Sequence, residues 1–282
     1  YTEGSVGERM QRLNVEERFV YPNTAEGRAA LIADARAQIE GIKEVLPQWF
    51  ATRVNYPVEV RAVPEYSQDS APTGYYNPPA KDGSRPGVYW LNVRDTAVHP
   101  RFALPTLTYH ESIPGHHLHF ATAIDQDVPP LVTAIWSNAA GEGWALYSEQ
   151  LAAEMGMYDD DPYGDLGRLQ AELHRAVRLV VDTGMHAKKW SREQAIEYMI
   201  EAEGVEEGTA ISEVERYAVW PGQALGYKLG MLKILELREE AKQALGDDFD
   251  VRAFNDTVLH VASTPLPYIE ATVRDWIRQA DM

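Results

Sequence analysis

The run His110-Glu111-Ser112-Ile113-Pro114-Gly115-His116-His117 constrains this chain more than any other stretch, because one unbroken helix could not bring its histidines together. In the H-E-x-x-H arrangement, two imidazoles one helical turn apart reach a single zinc while the glutamate between them faces the metal-bound water. Here Pro114 stands where the second imidazole would be, and the next histidines follow six and seven residues after His110. On a regular helix the first of these points about 240° around the axis, and the second lies about 10 Å along it. The helix must therefore break. Pro114 withholds a backbone donor and Gly115 tolerates unusual dihedrals, so Pro-Gly is where a bulge absorbs the extra residues and swings a histidine back.

A His-Glu pair alone usually marks a solvated helix face. This chain offers more, since four of its eight histidines lie between 110 and 119. A second helix-like run, Gly141-Glu142-Gly143-Trp144-Ala145-Leu146-Tyr147-Ser148-Glu149, begins shortly afterwards, with Glu142 26 residues beyond His116. Zinc hydrolases whose third ligand is glutamate carry it on the next helix, and a catalytic site keeps a fourth position open for water. The expected site is a zinc ion on His110, Glu142 and either His116 or His117, with Glu111 as general base. Glu149 falls on the same face as Glu142. It is either the ligand itself or, as we prefer, the acceptor of a ligand histidine's second N–H.

The 282 residues, 45% of them hydrophobic, suit a globular core. A net charge of -17, with no cluster of Lys and Arg, argues against nucleic acid or an anionic membrane surface as partner. No apolar run is long enough to span a membrane, and no secretory leader is present. The chain starts at Tyr1, so a leader on a preceding segment would place a soluble protein in the periplasm or outside the cell. Otherwise it is cytoplasmic. The absence of cysteine excludes thiolate-held zinc and disulfides.

Residues 27–50 carry apolar side chains at helical spacing, ending near Pro47. Val58-Glu59-Val60-Arg61-Ala62-Val63 alternates, residues 74–84 are turn-rich, and Gly87-Val88-Tyr89-Trp90-Leu91-Asn92-Val93 reads as a strand, so residues 57–93 are expected to form a small antiparallel sheet. Helices are expected at about 105–124, 130–156, 164–189, 192–203, 209–218, 223–245, 250–261 and 266–279. The whole reads as one mainly α domain with its small sheet just before the metal helix. An edge strand in that place could hold an extended peptide over the metal.

These motifs, together with Arg216-Tyr217-Ala218-Val219-Trp220-Pro221-Gly222-Gln223-Ala224-Leu225-Gly226-Tyr227-Lys228-Leu229-Gly230, resemble the bacterial family called domain of unknown function 885. That family is in turn similar to the Taq-type metallocarboxypeptidases. The resemblance implies a multi-helix, zincin-like peptidase fold with a central cleft and leaves the substrate open. It also implies that this chain is the C-terminal half of a longer protein, so that an N-terminal half or a second copy would cover its cleft. Matching Gly115-His116 to the Gly-His of the carboxypeptidase motif makes His116 the second ligand. The two inserted residues keep His117 as the alternative.

Hydrolysis also needs a donor for the oxyanion, and Tyr217 and Tyr227 are the first choices, although each is as readily a core residue. A carboxypeptidase must hold a free carboxylate, which suits Arg216 as a fork and Lys228 as a point charge. Arg175 and Arg178 read as a solvated or salt-bridged helix face, His186 as a helix-end residue, and Asp159-Asp160-Asp161 as a loop and helix start. The leading expectation is a zinc peptidase acting on small or C-terminal peptides. Its rival is an inactive peptide-binding protein on the same fold. Carboxylate-bridged di-iron is disfavoured, since Glu111, Glu172 and Glu213 are followed three residues on by Pro114, Arg175 and Arg216 rather than histidine.

Overall fold

Helix boundaries follow their capping chemistry. In the computed structural model, which describes residues 3–53, 55–126 and 136–280, α1 (Val6–Asn14) opens on Ser5. The Ser5 hydroxyl accepts from the Glu8 N–H, and the Glu8 carboxylate accepts from the Ser5 N–H. Helix α2 (Ala25–Val45) opens on Thr24 and passes into a 3-10 turn at Pro47, where the proline withdraws a donor. Its buried stripe of Leu31, Ala35, Ile39 and Ile42 repeats at the spacing read from the sequence.

The sheet contains β1 (Val58–Ala62), β2 (Gly74–Asn77) and β3 (Gly87–Leu91) in the order β1-β3-β2. It is mixed, not antiparallel as expected. β1 runs parallel to β3, with Val58 opposite Gly87, whereas β2 runs antiparallel to β3, with Gly74 opposite Leu91. The cause lies in the turn-rich stretch, which hides a strand: Tyr75 stacks on Trp90 across the pair at 6.2 Å between ring centroids. Because β2 takes the hairpin position next to β3, β1 is left to pair with the other edge of β3 in parallel. β2 ends up as an edge strand.

Nine helices follow among the described residues: α3 (Leu104–Glu111), α4 (His116–Asp125), α5 (Asn138–Glu154), α6 (Pro162–Lys188), α7 (Arg192–Glu203), α8 (Glu207–Val219), α9 (Gly226–Leu245), α10 (Val251–Leu259) and α11 (Leu266–Ala280). The expected helix at 105–124 is broken between Glu111 and His116. Of the helix expected at 130–156, residues 130–135 lie outside the described residues. Asp161 caps α6 through the Gly164 N–H, consistent with a helix-start role for the aspartate run. No described helix is long and apolar enough to cross a membrane.

Helices α5 and α9 touch backbone to backbone. A Cβ on Gly143 would sit 2.4 Å from the Gly230 Cα, and one on Gly230 would sit 1.8 Å from the Ala139 carbonyl oxygen. The main core gathers round this contact, with Trp144, Tyr147, Ile234 and Phe254 buried in it. A smaller core ties α6, α7 and α8 together through Val181, Met199, Val214 and Tyr217. Residues from both groups of helices line one cleft of about 1130 Å³, which also takes in Thr73–Tyr76 at the edge strand.

Candidate metal centre

The break in the metal helix is built by hydrogen bonds that skip the normal ladder. The Gly115 N–H reaches back to the Tyr109 carbonyl at 3.0 Å, the His117 N–H reaches the Ser112 carbonyl at 2.9 Å, and the Ile113–Pro114 peptide is cis. The Pro114 carbonyl accepts from the Trp144 indole N–H at 3.0 Å, pinning the turn to α5. Only glycine fits at 115, since a Cβ there would lie 1.9 Å from the His110 carbonyl oxygen. The bulge brings the His116 ring to 4.9 Å from that of His110, edge to face.

Glu142, in the first turns of α5, completes the cluster. Its Oε2 lies 3.5 Å from His110 Nε2 and 3.3 Å from His116 Nε2. Donors bonded to one tetrahedral zinc at about 2.0–2.1 Å are separated by about 3.4 Å, so both carboxylate-to-imidazole distances match a zinc ligand set, and all three ligand atoms lie within 4.8 Å of one another. Their remaining chemistry agrees. His110 Nδ1 donates to Glu149 Oε1 at 2.7 Å, and the Thr106 hydroxyl donates to the other Glu149 oxygen. That fixes the Nε2 lone pair of His110 toward the Glu142 carboxylate, so two acceptors face each other and a cation must lie between them. Glu142 Oε2 and His116 Nδ1 are buried without hydrogen-bond partners. When the cation is a proton, burial pulls His110 down but hydrogen bonds to Glu142 and Glu149 outweigh it and leave His110 at about 9. Burial raises Glu142, yet His110 and His116 hold it well below the usual carboxylate range.

The three candidate ligands are therefore His110, His116 and Glu142, and Glu149 sits behind His110. His117 is otherwise engaged. Its Nε2 donates to the Tyr56 carbonyl at 3.0 Å, and its Nδ1 accepts from the Tyr76 hydroxyl at 2.7 Å. Burial lowers its pKa to about 4, so it is a neutral strut between α4 and the sheet.

Glu111, the last residue of α3, lines the cleft beside the cluster. Burial raises its pKa, opposed by the nearby His110 and His116, by Arg175, and reinforced by Glu142. Tyr227 lines the cleft as well, its ring stacked on His110 at 6.1 Å. Tyr217 is not brought there: it is buried in the smaller core, and its hydroxyl donates to Glu213 at 2.9 Å. Lys228 is likewise held elsewhere, paired with Glu172 at 2.5 Å. Arg216 does line the cleft.

Three cleft residues escaped the sequence reading. Arg175 and Arg178, read as a solvated or paired helix face, both line the cleft, and Arg178 is only 2% exposed. Their three-residue separation placed them on one face of α6 without telling which way that face turned. Trp136 stacks on Phe120 at 5.3 Å along the rim and had no distinguishing signal. His186 instead bonds Asp182 on its own helix.

A family model described as a bacterial protein of unknown function, DUF885, matches residues 1–273. The match covers nearly all of this chain and bears out the family, and nothing in the comparisons supports the expected similarity to Taq-type carboxypeptidases. No curated protein matches. Among solved structures, a candidate lipoprotein from Colwellia psychrerythraea superposes with a TM-score of 0.97 at 54% identity, over 99% of this chain and 48% of that one. A candidate lipoprotein of unknown function from Shewanella oneidensis has the same fold, with a TM-score of 0.75 at 23% identity over 94% of this chain and 53% of that one. The chain thus spans about half the length of these solved proteins.

Proposed function

We propose that this chain, which belongs to the bacterial DUF885 family of unknown function, is a zinc-dependent peptidase whose centre is His110, His116 and Glu142. The observation that carries the reading is a carboxylate oxygen 3.5 and 3.3 Å from two imidazole nitrogens, distances that suit a shared zinc ion, with a glutamate beside them in an open cleft. A structural site would need no such base.

A bound zinc ion supplies a Lewis acid that polarises the scissile carbonyl and lets water lose a proton near neutral pH. The chain's own residues do the rest. Glu111 accepts the proton of the attacking water and returns it to the leaving amine. Glu149 fixes the His110 ring so that Nε2 stays turned to the cleft. Tyr227 offers its phenol to the carbonyl oxygen as negative charge develops there. The edge of β2, which lines the cleft through Gly74, Tyr75 and Tyr76, receives the substrate as an added strand. The similarity to a candidate lipoprotein supports an exported location.

Peptide profiling of the zinc-supplemented chain beside its Glu111→Gln variant tests this reading. Cleavage by the parent and its loss in the variant are expected. Equal cleavage by both removes Glu111 as the base, and no cleavage by either favours the rival reading of an inactive peptide-binding protein.

A further inference from the structure

Opposite the metal ligands, the cleft wall carries three guanidinium groups whose charge the protein leaves largely unspent. Arg175 and Arg178 come from α6 and Arg216 from the end of α8. Arg178 is 2% exposed, and its Nε and Nη2 have no hydrogen-bond partner, nor do the buried Nε atoms of Arg175 and Arg216. Leaving charged donors buried and unpaired is costly, and proteins tolerate it mainly where a ligand supplies the acceptor.

The nearest carboxylate does not satisfy them. Glu213 Oε2 is 3.7 Å from Arg178 Nε and Glu213 Oε1 is 3.5 Å from Arg216 Nη1, while its one short bond is to the Tyr217 hydroxyl at 2.9 Å. Arg216 also donates to Gln223 at 2.9 Å. Among the described residues Glu213 is the one carboxylate within 4.0 Å of any of these three guanidiniums, although Glu111, Glu142 and Glu215 also line the cleft.

The wall is also close to the metal ligands. Arg178 lies 4.5 Å and Arg175 5.4 Å from the centroid of the Tyr227 ring, and the His110 ring stacks on that tyrosine at 6.1 Å. A single tyrosine thus separates the guanidiniums from a metal ligand. These separations bound the gap at about 11 Å, which a peptide chain, at about 3.3 Å per residue, crosses in about three residues or fewer.

We propose that Arg175, Arg178 and Arg216 form the subsite for the substrate's terminal α-carboxylate, so that the enzyme trims about one to three residues from free C-termini. The inference rests on the peptidase reading for the identity of the substrate, and on the guanidinium wall alone for its carboxylate. A planar fork matches a carboxylate with two parallel hydrogen bonds, which an amide cannot reproduce.

Calorimetric binding to the zinc-supplemented Glu111→Gln chain tests it without turnover. The probes are N-acetyl-Ala-Ala as the free acid, its C-terminal amide, and N-acetyl-Ala-Glu amide, whose only carboxylate is on a side chain. The free acid is expected to bind at least about tenfold more tightly than either amide. That preference should collapse in both Arg178→Gln and Arg216→Gln, with zinc affinity unchanged as the sign that the fold is intact. Arg216 is partly exposed, so its variant remains informative if the buried Arg178 variant fails to fold. Undetectable binding of the acid, equal binding of acid and simple amide, or a preference untouched in the folded variants would overturn the subsite. Tight binding of the glutamyl amide would overturn the terminal assignment. Hydrolysis of peptides without acid preference sinks only this inference, whereas acid preference without hydrolysis by the parent sinks only the peptidase reading.

Discussion

At the scale of single residues, neighbours in sequence have separate roles. His116 and His117 are adjacent, yet one turns its Nε2 into the cluster, 3.3 Å from Glu142, and the other spends both nitrogens on Tyr56 and Tyr76. The sequence left both open because the choice depends on how the bulge closes, which is set by contacts with Trp144 and with the sheet. Two outcomes follow. Zinc titration should find His116→Ala deprived of most of its affinity and His117→Ala close to the parent. Denaturant unfolding should instead find His117→Ala destabilised by about 1–3 kcal/mol, the cost of stranding buried polar partners. If His117→Ala loses the metal more severely, the ligand assignment is reversed. Glu149→Gln should keep the fold while weakening zinc roughly 10- to 100-fold, because it loosens the orientation of His110. Unchanged affinity would show that Glu149 plays no part. Glu111→Gln belongs to a different class: it should retain zinc and lower hydrolysis by roughly 100- to 10,000-fold in a steady-state assay.

Among elements, the glycines mark where helices must touch or turn. The sequence marks Gly115 as the site of a helix break, and the structure supplies the reason in its 1.9 Å approach to the His110 carbonyl. The packing role of Gly143 and Gly230 was not legible, because nothing local says which two helices will meet at backbone distance. Their contact fixes α5 against α9, and with it the positions of Glu142 and Tyr227. Gly115→Ala and Gly143→Ala should each lower stability by at least about 1–3 kcal/mol in thermal or denaturant unfolding. Gly83→Ala makes a useful contrast: its positive φ strains a side chain, but no atom lies within 4 Å of the added Cβ, so it should retain zinc affinity even where stability drops. Parent-like stability of Gly143→Ala would mean the helices part more easily than this packing implies. The sheet shows the same limit. Strands β1 and β3 were readable in the sequence, whereas the short edge strand β2, between Pro72 and Pro78, looked like a turn, and the parallel pairing depends on the path taken through it. Helix α1 went unread although Ser5-Val6-Gly7-Glu8 is a capping box.

Over the whole molecule, two separately packed groups of helices share one cleft, with the metal ligands on one side and the arginines on the other. The first side was legible because ligand spacing is local: His110, His116, Glu142 and Glu149 fall within forty residues and two helical runs. The second was not, because the direction of the Arg175-Arg178 face is decided by how α6 lies across the molecule. A ligand that binds only the folded state stabilises it by mass action, about 2.7 kcal/mol at a concentration 100 times its Kd. Zinc should therefore raise the melting temperature of the metal-stripped chain, and a chelator should reverse the rise. The most direct test is calorimetric titration of zinc into the metal-stripped chain and, in parallel, into Glu142→Ala. One zinc ion per chain is predicted for the parent, with affinity reduced at least about 100-fold in the variant. Failure of the folded parent to take up zinc, or uptake undiminished in Glu142→Ala, would contradict the assignment of His110, His116 and Glu142 as a metal centre.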